Sequence, residues 1–210
     1  MVLHWLAATV VAYLLGSIPS GLLIGRVFFG VDVREYGSHR TGATNVLRTL
    51  GPGAAAAAVV MDVLKGVLAV LVARWLLPLE PWAHVVAALA AAAGHNWPVF
   101  VGFRGGRGVL VSTAAVGVLY WPVLVILLAM AALIMWRTRY VSLASVTGAA
   151  SAPILLLLFF LLRGPAEVPL AYVAYGAIAG ALIILAHRDN IARLRAGTEA
   201  RLGQRVQRAA

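Results

Sequence analysis

The sequence predicts an all-α integral membrane protein of seven helical segments, two of them short, with its N-terminus outside and its C-terminus in the cytoplasm. Three observations carry that expectation. The chain is 62% hydrophobic and 11% charged, whereas a soluble domain carries about 25% charged residues. Its apolar stretches are continuous and rich in Ala, Leu and Val; they do not alternate as barrel strands do, so helices must satisfy the backbone in lipid. Four polar segments hold all of the 17 Lys and Arg except Lys65, Arg74 and Arg163, the distribution of cytoplasmic loops.

The elements follow in order. Val2 to Ile24 is the first apolar stretch, with Arg26 after it and no basic residue before it, so it reads as a retained span rather than a cleaved leader. Further stretches run Ala54–Leu77, Pro81–Val101, Val109–Trp136, Tyr140–Leu162 and Val168–Ala186. At about 20 residues per crossing, the 210 residues make one membrane-embedded domain, 1–210, with 203–210 a frayed basic tail. Val109–Trp136 raises a parity problem, because arginines flank it on both sides and it is too short for two full crossings. Two short helices turning at Tyr120-Trp121-Pro122 resolve it; one long tilted span would put the arginine-rich C-terminus outside.

Composition also excludes. The chain has no cysteine, hence no disulfide, cysteine zinc site or thiol nucleophile. Its net charge of +10 fits cytoplasmic loops and anionic headgroups in so apolar a chain, and not nucleic acid.

The polar segments carry the chemistry. Gly37-Ser38-His39-Arg40-Thr41-Gly42-Ala43-Thr44-Asn45-Val46-Leu47-Arg48 combines glycines that let backbone N–H groups converge on an anion with the donors Ser38, Thr44 and Asn45 and the fork of Arg48. Gly102-Phe103-Arg104-Gly105-Gly106-Arg107-Gly108 precedes a helix, where glycine N–H groups, arginines and the helix dipole favour phosphate; it also reads as a basic turn against lipid headgroups. It lacks the Lys-Ser/Thr ending of a nucleotide-binding loop. Ser142 and Ser145 share one helix face after Arg137-Thr138-Arg139, either lining a site or bonding back to their own helix. His187, Asn190 and Glu199 close the chain's polar part, His187 as a general base or an interfacial ring. Asp62 and Lys65, one turn apart inside a span, read as an ion pair or as substrate contacts. His95-Asn96-Trp97-Pro98 is a polar interruption that lines a cavity, and His4, Trp5 and His84 are interfacial.

These motifs resemble the bacterial acyl-phosphate glycerol-3-phosphate acyltransferase (PlsY) family. The resemblance runs from Gly16-Ser17-Ile18-Pro19 to Gly197-Thr198-Glu199. It includes the Gly-Ser…Gly-Ala-Thr-Asn-Val loop ending in Arg (Gly37 to Arg48) and Asp-x-x-Lys-Gly (Asp62, Lys65, Gly66). Gly94, His95, Pro98 and Phe100 lead into Gly105–Gly108, Tyr140–Ser145 reads Tyr-Val-Ser-Leu-Ala-Ser, and His187–Glu199 closes the pattern. Arg107 stands where the family has Lys, and His39-Arg40 where it has Gly-Asn.

The resemblance implies a seven-helix enzyme of the bacterial inner membrane that acts in phospholipid biosynthesis. It implies acyl phosphate as donor, glycerol 3-phosphate as acceptor, lysophosphatidic acid and phosphate as products, and no cofactor or metal. The soluble enzyme that makes acyl phosphate is an implied partner, besides the bilayer. An acyl phosphate is already activated, so positioning and charge neutralisation carry the reaction. The expected catalytic set is Ser38, Arg48, Arg107, Ser145 and His187. The expected substrate contacts are Gly37, Gly42, Thr44, Asn45, Arg104, Gly105, Gly106, Gly108, Ser142, Asn190 and Glu199. Direct attack by the glycerol 1-hydroxyl is favoured over an acyl-Ser38 intermediate, with His187 or a substrate phosphate oxygen taking the proton. A transporter of organic phosphates is the rival reading. No histidine has Asp five residues on, which argues against the acyltransferases built on a His-x4-Asp dyad.

Overall fold

A computed structural model describes residues 1–204. Among them the chain folds into ten α-helices and no strand. The first apolar stretch is broken: α1 (Val2–Ser17) and α2 (Ser20–Phe29) meet at 40°, a break the apolar run had hidden. Pro19 supplies no N–H and pushes Ile18 out of the helical region, and Ile18 is extended at φ −60°, ψ 112°. A 3-10 turn at Val33–Glu35 leads to the short α3 (Ala43–Leu50). Then come α4 (Pro52–Leu76), which opens on a proline that its first turn tolerates, and α5 (Pro81–Asn96).

The apolar stretch with arginines on both sides divides into two helices, as expected, but only the first is short; the second has 18 residues. α6 (Val109–Leu119) and α7 (Trp121–Thr138) turn at Tyr120, just before Pro122. α8 (Val141–Arg163), α9 (Leu170–Ala186) and α10 (Arg188–Arg195) complete the chain, the last two bent by 61° at His187. The Tyr120 hydroxyl donates to Glu167 Oε1 at 2.8 Å, so the α6–α7 turn lies at the same end of the bundle as the α8–α9 connection. The other end of α7 joins the C-terminal segment, where Leu202 N donates to Arg139 O at 2.7 Å. At 1.5 Å per residue, α6 is only about 17 Å long. The preceding glycine loop accordingly runs inward: Gly102, Phe103 and Arg104 are exposed, whereas Gly105, Gly106 and Gly108, next to the helix, are buried.

Three helices, α4, α7 and α8, are each long and apolar enough to cross a bilayer, and the bent pairs α1–α2 and α9–α10 pass when joined. Helices α1, α4 and α5 close on an alanine seam of Ala8, Ala12, Ala69, Ala73, Ala87 and Ala91. Small residues let backbones approach where lipid provides no hydrophobic drive. At Gly16 and Gly94 a Cβ would run into the backbone carbonyl of the facing helix. Tyr175, Leu156, Val85 and Val123 fill the second core, between α5, α7, α8 and α9. A third, of Ile24, Val33, Val46 and Ala58, seats α3 on α2 and α4.

One expectation is corrected. His84 does not face lipid or water: it is buried, and its Nε2 lies 2.9 Å from the carbonyl of Leu77, which follows α4. At the start of the expected frayed tail, Gly203 and Gln204 are exposed, and Gln204 Oε1 accepts from Arg201 N at 2.8 Å. The remainder of the expected tail, 205–210, lies outside the described residues.

Candidate active site

The four arginine-bearing segments converge at one end of the bundle, around three cavities in series. A polar basin of about 1390 Å³ is lined by Arg34, Arg40, Arg48, Arg104, Arg107 and Arg193. Below it a throat of about 330 Å³ shares Ser38, Arg40, Arg48, Arg107 and Glu199 with the basin. The throat shares Val109, Leu110, Met135, Val141 and Ser145 with an apolar groove of about 230 Å³ that runs between α6, α7, α8 and α9. All of the residues expected from sequence to form the site line the basin or the throat.

The first loop is built around Asn45. Its Nδ2 donates to Val33 O (2.7 Å), Arg40 O (2.9 Å) and Tyr36 O (3.1 Å), and its Oδ1 accepts from Ser38 N (3.0 Å). Asn45 was expected to bind substrate, yet its amide is spent on the loop; it holds Ser38 rather than a ligand. The Ser38 hydroxyl has no hydrogen-bond partner among the described residues and lies between basin and throat. Gly42 has an ordinary φ of −72°, and a Cβ there would meet nothing within 4 Å. Neither conformation nor packing demands glycine at this point, so the open space it leaves in the throat is room for a ligand.

The second loop corrects another expectation. Gly105 N donates to Asn96 O at 3.2 Å and Gly106 N to His95 O at 3.0 Å, so these glycines offer no free N–H to an anion. The open donors are those of Arg107, Gly108 and the first turn of α6, whose N–H groups have no partner within the helix. Gly108 caps that turn at φ +75°, a backbone region that favours glycine.

The cations divide into three kinds. Arg34 and Arg193 are neutralised by Asp32 (2.8 Å) and Glu199 (2.7 Å). The Arg34 guanidinium holds the Asp32 carboxyl down at about 2, and Arg34 Nη1 reaches Val101 O at 3.1 Å, tying the two loops together. Arg48 and Arg107 are each held by one backbone carbonyl, Ala200 O and Ala186 O, both at 3.1 Å. Arg40 and Arg104 have no hydrogen bond or ion pair among the described residues. Burial pushes the Arg48 guanidinium down and takes Arg107 down to about 10, with Arg40 and Arg193 adding repulsion. Arg107 stays charged at neutral pH but lacks a counter-charge that an anion would supply. Arg34, Arg40 and Arg193 were absent from the expected site, because only the packing of their segments brings them around one basin.

The closing segment is a strap. Glu199 takes Asn190 Nδ2 on Oε1 and Arg193 Nε on Oε2, both at 2.7 Å. Burial opposes its ionisation, but these donors hold its pKa below the usual carboxylate value. Glu199 thus anchors the strap, and it also lines both the basin and the throat. Ser145 Oγ bonds back to Val141 O at 2.9 Å, the local reading of that serine, although it lines the throat. Asn190 Oδ1 is buried in the throat's wall with no partner among the described residues, as a site for a hydroxyl-bearing ligand requires, and the buried Ser142 hydroxyl lines the same wall beside Glu199.

His187 follows the last residue of α9. Its Nδ1 lies 2.8 Å from Ile183 O; a carbonyl only accepts, so Nδ1 carries the proton and Nε2 keeps a lone pair. Burial pushes its pKa down to about 4, helped by Arg107 and Arg40. The ring is therefore neutral throughout the physiological range. Ring resonances of His187 should titrate near 4 in ligand-free protein, against about 6.5 for an unperturbed histidine, and saturating inorganic phosphate should raise the midpoint by neutralising the arginines. A free-protein midpoint at or above 6.5 would remove the neutral-ring reading.

The chain matches a family model described as glycerol-3-phosphate acyltransferase over residues 6–197. It is 45% identical over 195 residues to a glycerol-3-phosphate acyltransferase of Gloeobacter violaceus, covering 91% of this chain and 92% of that one. It is 44% identical over 206 residues to glycerol-3-phosphate acyltransferase 2 of Moorella thermoacetica, covering 96% and 99%. Its structure resembles crystal structures of PlsY (YgiH), an integral membrane glycerol 3-phosphate acyltransferase. The TM-scores are 0.86 for the glycerol 3-phosphate form and 0.83 for the lysophosphatidic acid form, each at 38% identity over 95% of this chain and 96% of that one.

Proposed function

The chain belongs to the glycerol-3-phosphate acyltransferase family, and we propose that its throat moves an acyl chain from acyl phosphate to the 1-hydroxyl of glycerol 3-phosphate. Lysophosphatidic acid and inorganic phosphate are the products, and the reaction is the first acylation of phospholipid biosynthesis. One observation carries the assignment of the site: an arginine basin opens through Ser38, Arg107 and His187 into an apolar groove. Two phosphates need the first and an acyl tail needs the second. The transporter reading gives way to membership of an acyltransferase family.

In this reading the acyl tail lies in the groove and its carbonyl sits in the throat. Arg107 and the first-turn N–H groups of α6 hold the donor phosphate; Arg48, Arg40 and Arg104 hold the acceptor phosphate. Ser142 and Asn190 orient the glycerol hydroxyls. The 1-oxygen attacks the acyl carbon, and Ser38 donates to the developing oxyanion. The proton passes to His187 Nε2 or to a phosphate oxygen, and the C–O bond to phosphate breaks. Asn45 and Glu199 serve by holding Ser38 and Asn190 in place.

The proposed topology is seven segments: α1–α2 as one broken span, then α4, α5, α6, α7, α8 and α9. The N-terminus is outside and the basin faces the cytoplasm of a bacterial inner membrane. The donor's chemistry calls for a soluble upstream enzyme that forms acyl phosphates.

Purified protein in detergent should acylate labelled glycerol 3-phosphate with acyl phosphate and not with acyl-CoA. Arg107→Ala should lower kcat/KM by roughly 10²–10³, while Arg107→Lys, which keeps the charge, should cost about tenfold or less. Equal losses would show that the planar fork matters more than the charge. No acylated protein should accumulate, and a stoichiometric acyl-serine ester would end the direct-attack step.

The groove wall gives a second test. A Cβ at Gly148 would touch only Leu127 Cδ2, at 4.0 Å, so Gly148→Leu fills the groove without disturbing the backbone. The variant should shift preference toward shorter acyl chains; an unchanged chain-length profile would place the tail elsewhere. For topology, the cysteine-free chain allows single labels. A membrane-impermeant thiol reagent applied outside should modify Glu80→Cys and Glu167→Cys but not Arg104→Cys, and the reverse pattern would overturn the orientation.

A further inference from the structure

Apart from the residues assigned to substrate, a second set of polar side chains is buried beneath the glycine loop. Asp62 and Lys65 on α4 are 2% and 4% exposed, with Lys65 Nζ 2.8 Å from Asp62 Oδ1. Lys65 Nζ also donates to Ile18 O at 2.9 Å, and Ser20 Oγ donates to Asp62 Oδ1 at 2.8 Å. The same carboxylate oxygen lies 3.5 Å from His95 Nδ1, near the end of α5. One edge of the His95 ring is thereby set against Asp62.

The opposite edge of the ring faces the loop. A Cβ on Gly106 would fall on His95 Nε2, and one on Gly105 would fall on His95 O. Gly106 N donates to His95 O, and Gly105 N to Asn96 O. A Cβ on Gly108 would come within 3.0 Å of Asn96 Oδ1. The loop is wound on the surface of His95-Asn96 at a distance only glycine permits. Arg107 and the start of α6 follow from where that winding ends.

We propose that His95, held by Asp62, is a positioning residue for the phosphate site: the ring sets the path of Gly105-Gly106 and so aims Arg107 and the first turn of α6. This rests on the reading of Arg107 and that turn as phosphate donors. Two reasons for Gly106 then compete. Either glycine is needed because a ligand approaches its backbone, or because the His95 ring does. The structure favours the ring, since the Gly106 N–H is already donated to His95 O.

A double-mutant cycle on the full-length chain in detergent separates these. The partner change is His95→Asn, whose amide nitrogen keeps the contact with Asp62 while removing the ring edge. The readouts are the inhibition constant of inorganic phosphate, KM and kcat for acyl transfer, and the melting temperature. Gly106→Ala should raise the phosphate inhibition constant about tenfold or more, and His95→Asn alone roughly threefold. The double variant should bind phosphate better than Gly106→Ala alone, because the clash is gone. Losses that simply multiply would overturn the proposal and return Gly106 to the ligand. Recovery of melting temperature without recovery of the phosphate constant would also overturn it, leaving His95 a packing residue. If wild-type protein were not inhibited by phosphate, the phosphate reading of Arg107 would fail. Absence of any recovery in melting temperature in the double variant would then separately refute the contact between the ring and Gly106.

Discussion

The polar architecture rests on a single carboxylate oxygen buried in an apolar bundle. Asp62 Oδ1 receives Lys65, Ser20 and the His95 ring together, and these side chains come from α4, α2 and α5. Taking an isolated charge out of water costs several kcal/mol even after relaxation, so each charge in this cluster is tenable only while its neighbours remain in place. That mutual dependence fixes the relation of three helices more narrowly than alanine packing does. It also ties down the break in the first span at Pro19, where Lys65 Nζ joins the Ser20 N–H in donating to the Ile18 carbonyl.

The glycine loop inherits this rigidity. α6 is too short to cross a bilayer, so its N-terminus begins within the bundle, against His95 and Asn96. A helix N-terminus placed there presents unpaired N–H groups and positive dipole to the throat. Arg107 beside it is desolvated and held by a single carbonyl. Arg107 is therefore a charged group with few partners of its own. The strap from Gly197 to Gln204 completes the enclosure by tying Arg48 and Arg139 to the chain's last described turn.

Much of the site was legible in the linear chain, because charge is expensive in lipid and basic segments sort to one side. Arg48, Arg107, His187 and the loops around them stood out for that reason. What misled was the assumption that every small donor in a glycine-rich loop faces the ligand. Asn45, Gly105 and Gly106 spend their donors on backbone carbonyls, and Glu199 spends its acceptors on Asn190 and Arg193. Residues of this sort look the same in sequence whether they touch the ligand or hold what touches it. His84 was misplaced for a related reason: a histidine near a helix start reads as interfacial until a carbonyl such as Leu77 O is known to face it.

The sequence by itself determined that this is a helical membrane protein with most of its arginines in four polar segments, and the order of its motifs matched one family. Hydropathy and charge decide those matters locally, residue by residue, against lipid and water. Only the tertiary structure decided which donors remained free, where the first span bent, and that Arg34, Arg40 and Arg193 join the basin. Those outcomes depend on contacts between residues far apart in the chain, such as Arg48 with Ala200 or Ser20 with Asp62. A hydrogen bond can be given to only one partner at a time, and the choice of partner is made when the helices pack.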